Sequence, residues 1–238
     1  MKKKAIAGLI AIVVIAAVMT FVGCVETSLY SVKYSLAEES GGLTVNVSGP
    51  ADDLAILLTN PKGHTCVRYI SKKDMIDNFE SQWLPMYKGT ESASPPAGVY
   101  KLTVKTVTPE KVVYKTEKEF KPAVIRITDA GIELTRGAYR YGTKVEGYRV
   151  GYTCTVRNDG ELPIVLEYYV IVDSTKFGPY SVGYYDSYLD PGESEILDTE
   201  YVGCVYGSKK PDSAKIEFHE AYSGDKVANF EISRIRSH

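Results

Sequence analysis

The chain has 238 residues, 28 Lys+Arg against 30 Asp+Glu and 3 His, for a formal net charge of −2. Hydrophobic residues at 44% and charged residues at 24% give the balance of a globular protein and exclude a disordered one. Near-neutrality excludes a strongly basic nucleic-acid binder, and three His with four Cys leave little material for a metal cluster.

Lys2, Lys3 and Lys4 precede an uncharged run of 19 residues from Ala5 to Gly23. As a helix this run would be about 28 Å long at ~1.5 Å per residue, close to the thickness of a hydrocarbon core. Positive charge stays on the cytoplasmic side, so everything after the run is expected outside. The run ends in Phe21-Val22-Gly23-Cys24, which resembles the lipobox of prokaryotic lipoproteins: a small residue before the cysteine that takes the lipid, with Phe where Leu is usual. Residues 1–24 are therefore expected to be a signal peptide or lipoprotein anchor, with Cys24 the lipid attachment site. An uncleaved membrane helix and a pilin-like or freely secreted product are the alternatives.

Without the leader, 25 cations face 30 anions. The body reads as strands. Leu43-Thr44-Val45-Asn46-Val47-Ser48 alternates with period two and is broken at Gly49-Pro50. Leu54 to Leu58 is a short apolar run closed by Asn60-Pro61-Lys62-Gly63, a turn sequence. Val99 to Val104 alternates again, and Lys111 to Phe120 supplies a further strand. One helix is expected, from Ser71 to Tyr87. Ser71 and Asp74 suit its N-terminus, and Met75, Phe79 and Trp83 recur every four residues to make an apolar stripe. That stripe reads first as a cover over the sandwich and second as a partner-binding face.

Lys121-Pro122-Ala123 reads as a linker, after which the pattern starts afresh at Val124. Tyr148, Val150, Tyr152, Cys154 and Val156 fall on one face of a strand, with Arg149, Gly151, Thr153 and Thr155 opposite. Strands are also expected over Ile164 to Val172, Ala214 to Glu220 and Val227 to Ile232, with turns at Arg157-Asn158-Asp159-Gly160 and Asp190-Pro191-Gly192-Glu193. The expected class is all-β: two antiparallel Ig-like β-sandwich domains, 25–121 with a helical insertion at 71–87, and 122–238.

Thr155-Val156-Arg157-Asn158-Asp159-Gly160, followed by Leu189-Asp190-Pro191-Gly192-Glu193-Ser194, resembles Ig-like modules of prokaryotic surface proteins and lipoproteins. In the CARDB-like and FxLYD-like groups a strand ending V-x-N-x-G precedes a turn of type L-x-P-G-E. The resemblance covers residues 124 to 235 and implies a fold class rather than an activity. Gly98-Val99-Tyr100-Lys101-Leu102-Thr103-Val104 looks like the G-x-Y-x-L-x-V strand of such modules.

With Cys24 assigned to lipid, a Cys154–Cys204 disulfide is expected in the second domain. A loop of roughly 50 residues makes it worth about 4 kcal/mol in the chain-entropy model; two buried free thiols are the alternative. Cys66 is then a buried thiol or an intermolecular one.

The chain carries no G-x-S-x-G, H-E-x-x-H, P-loop or G-x-G-x-x-G motif. His64 and His219 have no nucleophile at a recognisable spacing. Asp52-Asp53 lacks the ladder of oxygens that calcium needs. No catalytic residue, metal site or cofactor is therefore expected. The tyrosines are the binding signal. Tyr180, Tyr184, Tyr185 and Tyr188 lie among Ser, Gly and Asp, a mixture suited to adaptable contact surfaces, although a hairpin whose tyrosines alternate between core and surface is the simpler reading. Tyr139 and Tyr141, near Arg136 and Arg140, are candidates to extend that surface. Asn46-Val47-Ser48 is a glycosylation sequon. The expected function is that of a membrane-tethered extracytoplasmic binding or scaffold protein, contacting a protein or glycan and no nucleic acid. A small or degenerate hydrolase and a purely structural spacer are the alternatives.

Overall fold

The computed structural model describes residues 29–37, 41–76, 81–87, 94–183, 187–233 and 235–237. The leader and Cys24 lie outside the described residues. The chain is all-β, and among the described residues fifteen strands form four sheets.

In the first half, β1 (Ser31–Leu36), β2 (Gly42–Ser48) and β5 (Gln82–Pro85) form one sheet in the order β1-β2-β5. Strands β3 (Leu54–Thr59), β4 (Thr65–Ile70), β6 (Gly98–Thr106) and β7 (Lys111–Phe120) form the other, in the order β4-β3-β6-β7. Period two sets the packing. Leu43, Val45 and Val47 of β2 join Leu54, Ile56 and Leu58 of β3 and Tyr100, Leu102 and Val104 of β6 in one buried cluster. Polar Asn46, from the same strand, points to solvent.

The expected helix is shorter and then becomes a strand. Its start is as the sequence indicates: Ser71 Oγ accepts from Asp74 N at 3.3 Å, and Asp74 Oδ2 accepts from Ser71 N at 3.2 Å, a reciprocal cap. Among the described residues the helix α1 spans Lys72–Ile76. Phe79 lies outside the described residues, and Trp83 is in β5, not on a helix. Leu84 pairs with Leu43 and is fully buried, and a side chain on Gly42 would overlap the Trp83 ring, with its Cβ 2.2 Å from Nε1. Met75 and Trp83 therefore do not share one helical face. Pairing with β2 buries Leu84, and Pro85 is in any case unsuited to a helix interior.

In the second half, β8 (Ile125–Arg140) and β9 (Thr143–Asn158) form a long antiparallel ribbon. β12 (Ser194–Tyr206) flanks β9, and β15 (Ile235–Ser237) joins β8 in parallel. β10 (Leu166–Val172), β11 (Thr175–Ser181), β13 (Ala214–Glu220) and β14 (Lys226–Glu231) form the facing sheet, ordered β11-β10-β13-β14. Val150, Tyr152, Cys154 and Val156 of β9 are buried against Val170, Ile216 and Phe218, while Arg149 and Thr153 face solvent.

The two halves meet around Asn158, a side chain with no exposed surface. Its Oδ1 accepts from Gly160 N at 2.9 Å and Val124 N at 3.2 Å, and its Nδ2 donates to Leu162 O at 2.8 Å and Leu189 O at 3.0 Å. Its backbone N–H donates to Glu193 O, and its carbonyl accepts from Gly192 N. One amide thus ties the end of β9 to the linker and to the Asp190–Glu193 turn. Leu162, held by that amide, is buried in the cluster of the first half. Ser94 Oγ adds a second tie, accepting from Val165 N at 3.1 Å and donating to Glu220 Oε1 at 2.9 Å.

A candidate binding surface at the tip of the long ribbon

The second-half cluster takes its residues from β8 only as far as Leu134 and resumes in β9 at Tyr148. Residues 135–147 therefore extend the ribbon beyond that cluster, with Ala138 and Gly147 buried and most of the others exposed. Three glycines shape this extension. Gly137 sits where the register shifts between Arg136 and Ala138, and Gly147 packs so closely on β12 that a Cβ would meet Val205 O at 2.5 Å. At the tip, Tyr141 and Gly142 both have positive φ, 50° and 80°, as a two-residue hairpin turn of the favoured hand requires.

Tyr141 is the anomaly. That position favours Gly, Asn or Asp, and a bulky residue in the left-handed region costs roughly 1–2 kcal/mol. The ring recovers no burial in exchange, for it is 96% exposed. Its neighbours share the exposure: Tyr139 is 56% and Tyr206 54% exposed. Arg140 lies between two rings, its guanidinium carbon 5.7 Å from the Tyr141 centroid and 5.9 Å from that of Tyr206. Tyr206 Oη donates to Tyr139 O at 3.2 Å, which fastens the end of β12 to the far strand of the ribbon.

Nearby along the ribbon lies an open cavity of about 430 Å³, lined among others by Arg136, Lys144, Glu146, Tyr148 and the backbone of Gly137 and Gly207. Among the described residues, no salt bridge involves Arg136, Arg140 or Lys144. The extension carries three cations and one anion, Glu146, on a chain of net charge −2. It is thus a cationic, aromatic, partly concave projection.

The other sequence-predicted residues fall elsewhere. Tyr180 turns inward, with its ring 5.4 Å from that of Tyr168 and its Oη donating to Val202 O at 3.3 Å. Tyr188 is buried at the junction, where a Cβ on Gly41 would come within 2.7 Å of its ring. Tyr184 and Tyr185 lie outside the described residues. The two described members of this tyrosine set therefore serve packing. The sequon asparagine, Asn46, is exposed on β2.

The Cys154–Cys204 disulfide is not formed, and Cys66, Cys154 and Cys204 are free thiols. The two strands are neighbours, but Cys154 pairs with Leu197 and Cys204 with Arg149. Five residues of offset along β9 separate them by about 16 Å at ~3.3 Å per residue, whereas a disulfide needs Cα atoms within about 7 Å. They also face opposite ways, since Cys154 is in the core and Cys204 lies opposite exposed Arg149. Burial pushes the Cys154 thiol up to about 12.

His219 contacts Gly224 O through Nδ1 at 3.0 Å and meets the Tyr169 ring edge-on. Asp53 accepts from Lys72 N at 2.6 Å and Asp52 from Tyr30 Oη, so both acidic residues fasten loops. Among the described residues, no group of three or more His, Cys, Asp or Glu is placed to hold a metal ion. No protein-family model matches the chain, and no curated protein does.

Proposed function

We propose that this is a membrane-tethered extracytoplasmic binding protein, built of two Ig-like sandwich modules and acting without catalysis, whose contact surface is the tip of the β8–β9 ribbon. The observation that carries this reading is Tyr141: a fully exposed aromatic ring in a left-handed position that stability alone would give to Gly or Asn. With Arg140, Tyr139 and Tyr206 it brings together the residue types that dominate binding energy at recognition surfaces.

The leader supports the tether. The order of the strand ends supports presentation away from the membrane. The described chain enters β1 at Ser31, which pairs with Ser48 at the end of β2 remote from the junction. The ribbon tip is the end of β8 and β9 remote from that same junction. The ties at Asn158 and Ser94 stiffen the middle, so the spacer reading becomes part of the binding one: the first half holds the ribbon out.

The test uses the full chain expressed in its own membrane. Protease added to intact cells should cleave the body, Cys24→Ser should abolish incorporation of a labelled fatty acid, and a Tyr139→Ser/Tyr141→Ser chain should lose adhesion to isolated cell envelopes while keeping its unfolding midpoint. Full adhesion by that double variant would overturn the ribbon as the contact surface. Protection of the body from external protease would overturn the location.

A further inference from the structure

We infer that the ligand of the ribbon tip is an acidic polysaccharide, held with its anionic groups on Arg136 and Lys144 and its sugar rings against the tyrosines. The inference rests on the ribbon being the binding surface. A cavity of about 430 Å³ falls in the range of sites for small molecules or short oligomers. Its two lining cations have no acidic partner of their own, and a guanidinium fork matches a carboxylate or sulfate with two parallel bonds. The apolar faces of Tyr139, Tyr141 and Tyr206 suit the C–H faces of sugar rings. Glu146 and the backbone at Gly137 and Gly207 can meet hydroxyls, and the glycines let a ring approach the chain closely.

Two other classes of occupant fit less well. A standard protein interface takes roughly 20–30 residues a side, whereas residues 135–147 with the end of β12 offer little more than half of that. An anionic lipid surface would also attract Arg and Tyr, but the tip lies at the end of the molecule remote from where the chain enters from its leader.

The experiment titrates the full chain in detergent micelles with trigalacturonate, a sulfated oligosaccharide and neutral maltotriose, read by calorimetry. At least one anionic sugar should bind and maltotriose should not, and the affinity should fall as salt is raised. Arg136→Gln should weaken binding about tenfold or more, the loss of a charge-assisted hydrogen-bond pair. Tyr141→Ser should weaken it too, and both variants should keep the wild-type unfolding midpoint because both side chains are exposed. Trigalacturonate against the sulfated probe distinguishes carboxylate from sulfate as the anionic group. Absence of binding by either anionic sugar, or an Arg136→Gln chain that binds as wild type, overturns the inference. If the sugars fail while Tyr139→Ser/Tyr141→Ser still loses envelope adhesion, the ribbon reading stands and its ligand is of another class. Binding of the wild type to anionic-lipid vesicles in preference to both sugars would identify that class as lipid.

Discussion

Replacing Asn158 by Ala tests whether one buried amide holds the two halves together. The substitution removes four side-chain hydrogen bonds, to Val124, Gly160, Leu162 and Leu189. Each bond contributes about 1 kcal/mol net, and a buried group left without a partner costs about 1–3 kcal/mol. The backbone groups of Gly160 and Val124 lie near the surface, where water replaces part of the loss. Those of Leu162 and Leu189 belong to buried residues; Leu189 O keeps its bond from Ile164 N at 3.3 Å, so the full cost of an unpartnered group falls on Leu162 O. The expected destabilisation is thus about 4 kcal/mol, at the upper end of what single substitutions do. For a chain of this size it lowers the melting temperature by roughly 8–16 °C. Urea unfolding of the wild type and the variant, fitted with a common slope, measures it. Because Leu162 lies in the cluster of the first half, the loss should appear in probes of both halves, including the fluorescence of Trp83. Asn158→Asp should fare no better, since a carboxylate cannot donate to the two carbonyls and its charge would be buried. A loss under about 1 kcal/mol for Asn158→Ala, or one confined to the second half, would refute the reasoning.

At Tyr141, replacement by Gly or Asn should raise the melting temperature by a few degrees, through relief of about 1 kcal/mol at a left-handed position, while weakening ligand binding; calorimetric melting beside the titration checks both at once. Glu217, buried beneath Lys226 and Lys215 with both ammonium groups 2.9 Å away, is held down to about 2 by hydrogen bonds first from Lys226 and then from Lys215. A carboxylate depressed on folding stabilises the fold above its unfolded value near 4.5, and that contribution is lost as the pH falls toward 2. Glu217→Gln should therefore be less stable than wild type at pH 7 and should converge on it in acid, as followed by urea midpoints across that window. In the second core the hydroxyls of Tyr152 and Tyr168 bond each other, so Tyr168→Phe should cost about 1 kcal/mol and the double change to Phe less than the sum of the two singles, a double-mutant cycle being the measure. Thiol titration of the native chain should label half-exposed Cys204 and spare Cys154, and unfolding without reductant should release both; a mass two units lower in the non-reduced chain would show a disulfide instead.

Much of the fold was legible because its strands alternate. Lys111 to Phe120 and Ala214 to Glu220 are strands with the bounds that the pattern indicates, and the inward set of β9 is the one that period two selects. What period two does not carry is pairing. β1 and β4 have mixed polarity and become strands through their partners, and Trp83 joins a helical spacing only until β2 offers a hydrogen-bonding edge. The disulfide failed for the same reason: two cysteines on strands can be read from alternation, but the register along those strands cannot, and a five-residue offset separates the sulfurs. The Asn-x-Gly and Pro-Gly-Glu turns, in contrast, were visible as separate signals. Only the structure shows them to be one device, in which the first turn's amide fills the hydrogen-bonding groups of the second.

The proposed binding surface was half visible. Tyrosine density drew attention to Phe177 through Tyr188, but density does not say which way a ring points, and at Tyr180 and Tyr188 burial took the rings. The more telling sign stood in Arg136 to Gly147: glycines at intervals of five, three cations, one anion, and a tyrosine immediately before the glycine of the turn. A hairpin under selection for stability alone places Asn or Asp ahead of that glycine. Tyr141 is therefore a residue whose local preference conflicts with its position, and such conflicts concentrate where a chain does something besides fold. The second-half cluster closes at Leu134 and Tyr148, and of the thirteen residues between them Ala138 and Gly147 are buried while most of the rest add exposed surface, with an unfavourable backbone position at Tyr141. Contact with a ligand is the function that would retain them.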